Sequence, residues 1–426
     1  MKPRIKKLIA VVFFVLPIAI LFSKGIPEKQ SEDLMQHIGP SKGLVTSGEA
    51  TPAVTDGYYQ FAHNLLQSTS ERQHENIMIS PLSVYLALGM SANGAQGETK
   101  AAMVKVLSPK ASLEDLNKNV AFWIDALSDT EKNTIVEIAN SIWVQHDYHV
   151  AQKFLQINAD YFKATAKSID FNDQEAAKTI NSWIAKSTKD KIDSIIDRTS
   201  ADMLVMLINA SYFKSDWEEP FEVKRTREQI FHAQSEDIMR PFMHTIRSMQ
   251  YIDFNQAQGI MMPYEGRRYW FAALIPQEGL SIRSWFEHQD PRDLFSVLNG
   301  KHSIVSAEVD LAIPTFTSTY EVSLITDLAS MGMKIAFLPD QADFSLMSEA
   351  GTKDLFISDV KHKSFIQVDE VGTEAAAVTS VVMKATAMAP QEIKRIVFDR
   401  PFLYAIIDRT TELPLFIGIL DKPVAP

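Results

Sequence analysis

Residues 370–390 read Glu-Val-Gly-Thr-Glu-Ala-Ala-Ala-Val-Thr-Ser-Val-Val-Met-Lys-Ala-Thr-Ala-Met-Ala-Pro, and the fold turns on how they are read. After Glu374 the stretch holds one charge, Lys384, and few large side chains. Its alanines favour a helix. Val378–Val382, β-branched at four of five positions, favours a strand. The stretch follows a strand-like run ending in Val368-Asp369-Glu370. Fully extended, it aligns Thr373, Ala375, Ala377, Thr379, Val381 and Met383 on one face. All six are small or apolar and suited to burial. A core helix or a plain strand would account for the composition alone. A long, charge-poor loop able to become a strand points to a functional role, because long ordered loops tend to carry function.

Working outward, the rest of the chain mixes helices and strands. Tyr58–Gln67, Gly97–Leu107 and Leu113–Leu127 have helical apolar spacing. Ser80-Pro81 opens another helix, with Ser80 as N-cap, Pro81 at the first helical position and Val84–Met90 following. Lys178–Lys191 reads as a surface helix, and Tyr320–Met331 as a helix ending at Gly332. Thr134–Val144, Leu204–Phe213, Gly259–Pro263, Tyr269–Pro276, Ser306–Phe316, Phe356–Val368, Phe402–Asp408 and Leu415–Leu420 read as strands. Helices come first, then strands with helices interspersed, without regular βαβ alternation. The pattern is an α+β domain with antiparallel or mixed sheets.

The first 25 residues differ from the rest. Lys2, Arg4, Lys6 and Lys7 precede an uncharged apolar run from Leu8 to Phe22, the pattern of an export signal. Residues 8–22 as a membrane anchor are the alternative, and the cleavage signal at Ser23-Lys24-Gly25 is weak. The chain is therefore expected to be secreted or periplasmic, or else membrane-anchored. Residues 26–55, rich in Ser, Gly, Pro and Glu, read as a flexible polar tether. Residues 56–426 then form one domain of about 370 residues, large for a single unit.

The chain has 426 residues, no cysteine, and 42 basic against 53 acidic side chains. With 46% hydrophobic and 22% charged residues it is built to fold. Zero cysteine excludes disulfides, a cysteine nucleophile and zinc fingers. The net charge of −11 argues against nucleic-acid binding. Lys186, Lys189 and Lys191 are interrupted by Asp190 and Asp193, so no heparin site is evident; Lys394-Arg395 is set aside likewise. The histidines lack metal-ligand spacing, and neither a metal nor another cofactor is expected. H-E-x-x-H, P-loop, G-x-G-x-x-G and G-x-S-x-G motifs are absent. Ser211-Tyr-Phe-Lys214 and Ser358-Asp-Val-Lys361 match S-x-x-K, but the S-D-N and K-T-G partners of that hydrolase class are missing. Asn209-Ala210-Ser211 is a formal glycosylation sequon inside an apolar strand, where a glycan has no room.

Several motifs, in order, resemble one family. Glu370-Val-Gly372-Thr373-Glu374-Ala375-Ala376-Ala377 is similar to the hinge of the reactive-centre loop of the serpins, the serine protease inhibitors. Asn76-Ile-Met-Ile-Ser80-Pro81-Leu82-Ser83 resembles the segment beneath their central sheet, the shutter, and Asn93-Gly94-Ala95-Gln96-Gly97-Glu98-Thr99 its continuation. Asn209 through Phe221, with Trp217, resembles the strand running from shutter to breach; Phe398-Asp-Arg-Pro401-Phe402 and Pro414-Leu415-Phe416-Ile-Gly418 resemble the C-terminal strands. The resemblance covers Asp56 to the C-terminus.

It implies a fold of about eight to nine helices, a large central mixed sheet, two smaller sheets and an exposed loop over about 370–390. It implies a protease inhibitor rather than an enzyme. The target endopeptidase, serine or cysteine, cuts the loop and is trapped as its acyl-enzyme when the loop inserts into the central sheet. Ser80, Ser83, Asn209 and His362 would meet at the shutter, with Trp217 at the breach, although a lone histidine is more often a satisfied core group. The family's loop count puts the reactive bond at Thr386–Ala387, which suits elastase-like or subtilisin-like proteases. Lys384–Ala385 is the trypsin-like alternative, and Met383 and Met388 offer chymotrypsin-like cuts. The chain would be a monomer with a risk of loop–sheet polymerisation through Val378–Val382. A non-inhibitory chaperone or binding protein on the same fold is the other functional reading.

Overall fold

The computed structural model describes residues 31–41, 50–73, 75–128, 134–373 and 392–424. The first half supplies most of the helices: α1 (Pro52–Arg72), α2 (Pro81–Ala92), α3 (Gly97–Leu107), α4 (Leu113–Ser128), α5 (Gln152–Phe162) and α6 (Ala176–Ser187). Between and before them lie β1 (Ser31–Asp33), β2 (Ile77–Ile79), β3 (Ile135–Gln145) and β4 (Thr165–Ile169). There follow β5 (Val205–Asp216), β6 (Arg227–His232), β7 (Asp237–Phe254), β8 (Ala257–Pro263), β9 (Tyr269–Pro276), α7 (Ile282–Glu287), α8 (Pro291–Leu298), β10 (Ile304–Pro314), β11 (Phe316–Ser323) and α9 (Ile325–Leu328). The chain closes with β12 (Asp359–Val368), β13 (Gly372–Thr373), β14 (Lys394–Val397), β15 (Phe402–Asp408) and β16 (Leu413–Leu420).

One mixed sheet has the order β1-β4-β3-β5-β13-β12-β11. A second hydrogen-bonded path runs β14-β10-β7-β8-β9-β15-β16-β2, with β6 on β7. The 18-residue β7 is the longest strand of this second sheet. It pairs β6 and β10 along its length and β8 at its C-terminal end. The α+β architecture read from the sequence is thus observed.

Helix α2 lies at the centre. Its twelve residues are all buried, and it packs on β3 and β5 of one sheet and β16 of the other. A helix this apolar on every side is stable only when enclosed. Ser80 takes the N-cap position with Pro81 at the first helical position, but its hydroxyl makes no capping bond; its carbonyl accepts from Val84 N–H at 3.3 Å. A separate apolar layer beneath α6 covers the outer face of the mixed sheet. It includes Trp143, Ile180, Ile184, Ile195, Met206 and Ile208.

Three expectations need correction. Tyr320–Met331 is not one helix: Tyr320–Ser323 completes β11, and α9 starts only at Ile325. Phe316, Ser318, Tyr320 and Val322 alternate inward against β12, a period of two that outweighs the helical spacing further on. Residues 31–41 do not behave as a free tether. β1 pairs antiparallel with β4, Leu34, Met35 and Ile38 pack on the core, and Ser41 N–H donates to Asp160 Oδ1 at 2.6 Å. An open strand edge and an apolar patch together attract this segment despite its polar composition. The helix leading into the domain also begins at Pro52, ahead of Asp56. Residues 1–30, including the expected export signal, lie outside the described residues.

Candidate functional site

The mixed sheet carries a seam between β5 and β12. The two strands pair directly and in parallel over seven residue pairs, from Met206↔Asp359 to Tyr212↔Phe365. Above that point they diverge, and β13 enters the gap. Thr373 pairs with Ser215 on β5 and with Val368 on β12, while Gly372 pairs with Asp216, all antiparallel. Two residues of the expected hinge are therefore already a strand in the sheet.

The entry point is densely bonded. Asp369 Oδ1 accepts from Val371 N–H at 2.9 Å and Gly372 N–H at 3.2 Å, closing the turn after β12. Trp217 N–H donates to Val371 O and its indole Nε1–H to Asp369 O, both at 2.8 Å. Phe221 N–H donates to Glu370 O at 2.7 Å, and Thr226 Oγ1–H to Glu370 Oε1 at 2.6 Å. Glycine is required at 372: a Cβ there would lie 2.3 Å from Ser215 O and 2.6 Å from Asp216 Cα. Trp217 stacks on Tyr264, with ring centroids 4.5 Å apart and planes 10° apart. Thr373 is fully buried, and its Oγ1 lies 2.6 Å from the Tyr264 hydroxyl.

Lower on the seam a polar row crosses three strands, with Asn209 and His362 fully buried and Asn140 half-buried. Asn140 on β3 is in register with Asn209 on β5, which is in register with His362 on β12. Asn209 Nδ2–H donates to Asn140 Oδ1 at 2.5 Å, and His362 Nδ1 lies 2.6 Å from Asn209 Oδ1. Ser80 N–H donates to His362 Nε2 at 3.2 Å. These partners fix one neutral tautomer, with the proton on Nδ1 and the lone pair on Nε2 facing a donor. Burial lowers the imidazole pKa to about 3. Ser364 Oγ–H ties the same strand to β2 through Met78 O at 2.7 Å.

The structure thus brings Asn209, His362 and Ser80 together. Ser80 reaches the histidine through its backbone, however, and Ser83 is buried in α2 outside this bonded row. Trp217, Glu370, Gly372 and Thr373 converge at the top of the seam. Glu374, Ala375, Ala376, Ala377, Lys384, Ala385, Thr386 and Ala387 lie outside the described residues. The sequence reading missed Asn140, Tyr264 and Asp369. Asn140 left a trace, as a polar residue interrupting a strand-like run. Tyr264, just past β8, left none.

The Ser211–Lys214 match does not form a hydrolase site. Ser211 is fully buried within β5, and Lys214, three residues on, points to the opposite face of the strand. Asn209 is fully buried too, which leaves no room for a glycan. Among the described residues no group of His, Asp or Glu has the arrangement of a metal site.

Comparison with known proteins agrees with this architecture. The family model for serpin (serine protease inhibitor) matches residues 56–423. An uncharacterized serpin-like protein of Thermococcus kodakarensis is 32% identical, covering 89% of this chain and 88% of its own length. Neuroserpin of Rattus norvegicus is 31% identical, covering 90% and 94%. The crystal structure of a thermophilic serpin, tengpin, in the native state superposes with a TM-score of 0.85 at 35% identity, covering 92% of this chain and all of that one. Its latent-state structure gives 0.74 at the same identity, covering 89% of this chain and all of that one. Thyroxine-binding globulin in complex with thyroxine shares the fold at 25% identity, with a TM-score of 0.77 over 87% and 99%. This chain belongs to the serpin family.

Proposed function

We propose that the chain inhibits serine endopeptidases, and cysteine ones by extension, as a suicide substrate. The observation that carries the reading is the two-residue strand at the seam, Gly372–Thr373, followed in sequence by a run of small side chains. The attacking protease hydroxyl adds to the carbonyl carbon of Thr386. The Thr386–Ala387 peptide bond breaks, the new amine of Ala387 takes up a proton and leaves, and residues up to Thr386 stay on the protease as an ester. Lys384–Ala385 is the alternative bond. Elastase-like and subtilisin-like proteases are the favoured targets, trypsin-like ones the second choice.

The freed strand then extends β13 down the seam. Continuing the register beyond Thr373, one residue at a time, sets Ala375 opposite Phe213 and Ile366, and Thr379 opposite Asn209 and His362. A threonine hydroxyl suits that level, because it accepts from His362 Nδ1–H while donating to Asn209 Oδ1. Neither buried group is left stranded as the strands part. Insertion gives up one seam and gains two. The surplus is on the order of ten ladder hydrogen bonds at about 0.5–1.5 kcal/mol net each. That is comparable with the whole stability of an ordinary domain, about 5–15 kcal/mol. It suffices to drag an attached protease and distort its active site.

The alternative, a non-inhibitory binding protein, has one support: the fold is shared with thyroxine-binding globulin. The hinge speaks against it, since the inward positions Thr373, Ala375 and Ala377 hold no charge, proline or bulk. As for location, the N-terminal apolar run supports export or anchoring, and no described helix is long and apolar enough to cross a membrane.

The test is incubation with subtilisin, pancreatic elastase and trypsin. The expected result is an SDS-stable complex and a released C-terminal peptide that mass spectrometry reads as beginning at Ala387. A peptide beginning at Ala385 moves the bond to Lys384. Absence of a stable complex with every serine and cysteine protease tried overturns the reading.

A further inference from the structure

Thr373 and Tyr264 come from different sheets. Thr373 is the last described residue of β13, in the seam of the mixed sheet, whereas Tyr264 directly follows β8 of the other. Tyr264 is held on several sides. Its N–H donates to Tyr269 O at 2.9 Å, it forms an isolated bridge with Trp217, its ring stacks on that indole, and Phe213 meets it edge-on at 5.0 Å. Both Tyr264 and Thr373 are fully buried. Burial also pushes the phenol pKa well up, so the hydroxyl keeps its proton at neutral pH.

The other bonds at the entry point engage Asp369, Glu370 and the backbones of Val371 and Gly372. They secure the turn before the strand. The hydroxyl pair of Tyr264 and Thr373 is different, because it engages the side chain of the residue from which any further strand must grow. A strand that begins from a formed first pair need not order that residue again. A hinge that has slipped out must do so within the lifetime of the acyl-enzyme.

We propose that Tyr264 is a positioning residue for inhibition: its hydroxyl latches Thr373 in the seam, so that insertion starts from a formed pair. The proposal rests on the inhibitor reading above. A buried hydroxyl deprived of its partner is unfavourable, whereas removing both hydroxyls of a pair is close to neutral. The two residues should therefore be coupled.

The experiment compares the full chain with Tyr264→Phe, Thr373→Val and the double variant. One readout is the stoichiometry of inhibition of subtilisin. The other is hydrogen exchange of the backbone amides of residues 371–373 in the intact protein, which needs no protease. Each single change is expected to raise the stoichiometry about two- to fivefold and to speed exchange, and the double variant to return towards wild type in both. Singles that match wild type, or a double variant showing the sum of the two single effects, overturn the latch. Should the wild-type chain trap no protease, the inhibitor reading fails on that result, and exchange alone decides for or against the latch.

Discussion

His362 is fully buried and neutral, and its environment dictates both facts. Burial disfavours the charged ring, and the unprotonated Nε2 already faces the Ser80 N–H. Protonation would oppose two donors there and break the contact. The consequence for stability has a definite sign. The folded pKa of about 3 lies below the ordinary value of 6.5, so between these limits the unfolded chain binds more protons than the folded one. This contribution to stability is fully present above about pH 6.5 and is lost as pH falls toward 3, with a limiting slope of about 1.4 kcal/mol per pH unit. Chemical denaturation at pH 4, 5, 6 and 7 should give a shallower pH dependence for His362→Gln than for the wild type. Equal slopes would mean that the ring is not held neutral. The motif around Asn209 was readable in the sequence, but Asn140 as the third member of the row was not. Its place depends on the register of β3 against β5, a pairing between residues some seventy apart that local pattern does not specify.

At the level of elements, β13 is defined by its close approach to its neighbours. Gly372 approaches β5 so closely that no side chain fits, and Thr373 lies between Ser215 of β5 and Val368 of β12. Gly372→Ala is expected to eject β13 from the gap, since a backbone carbonyl cannot yield by the needed distance. The variant should then be cut as a substrate, with the stoichiometry of inhibition raised about tenfold or more at an unchanged rate of loop cleavage. A stoichiometry equal to wild type would refute the close approach. Most elements were legible from apolar period: α2, α3, β5, β9 and β15 fall close to where their patterns place them. The failures have physical causes. The end of β11 carries helical spacing because Tyr320–Met331 joins a strand end to a helical start. β1 was read as tether because a three-residue strand gains its stability from the β4 edge and not from its own composition.

For the molecule as a whole, the two sheets divide the work. The nine-stranded path contains β15 and β16, both fully buried, and the mixed sheet holds the seam where β13 lies between β5 and β12. With no cysteine in the chain, packing and hydrogen bonds alone keep that seam closed. In the proposed inhibitory mechanism the cut loop becomes a strand of the mixed sheet. Calorimetry of the intact chain and of the chain cut within residues 374–390 tests it most directly. The cut chain is predicted to melt at least about 10 °C higher, since a surplus of ladder bonds worth several kcal/mol moves the midpoint by that order. A cut chain that melts at or below the temperature of the intact one would contradict the account.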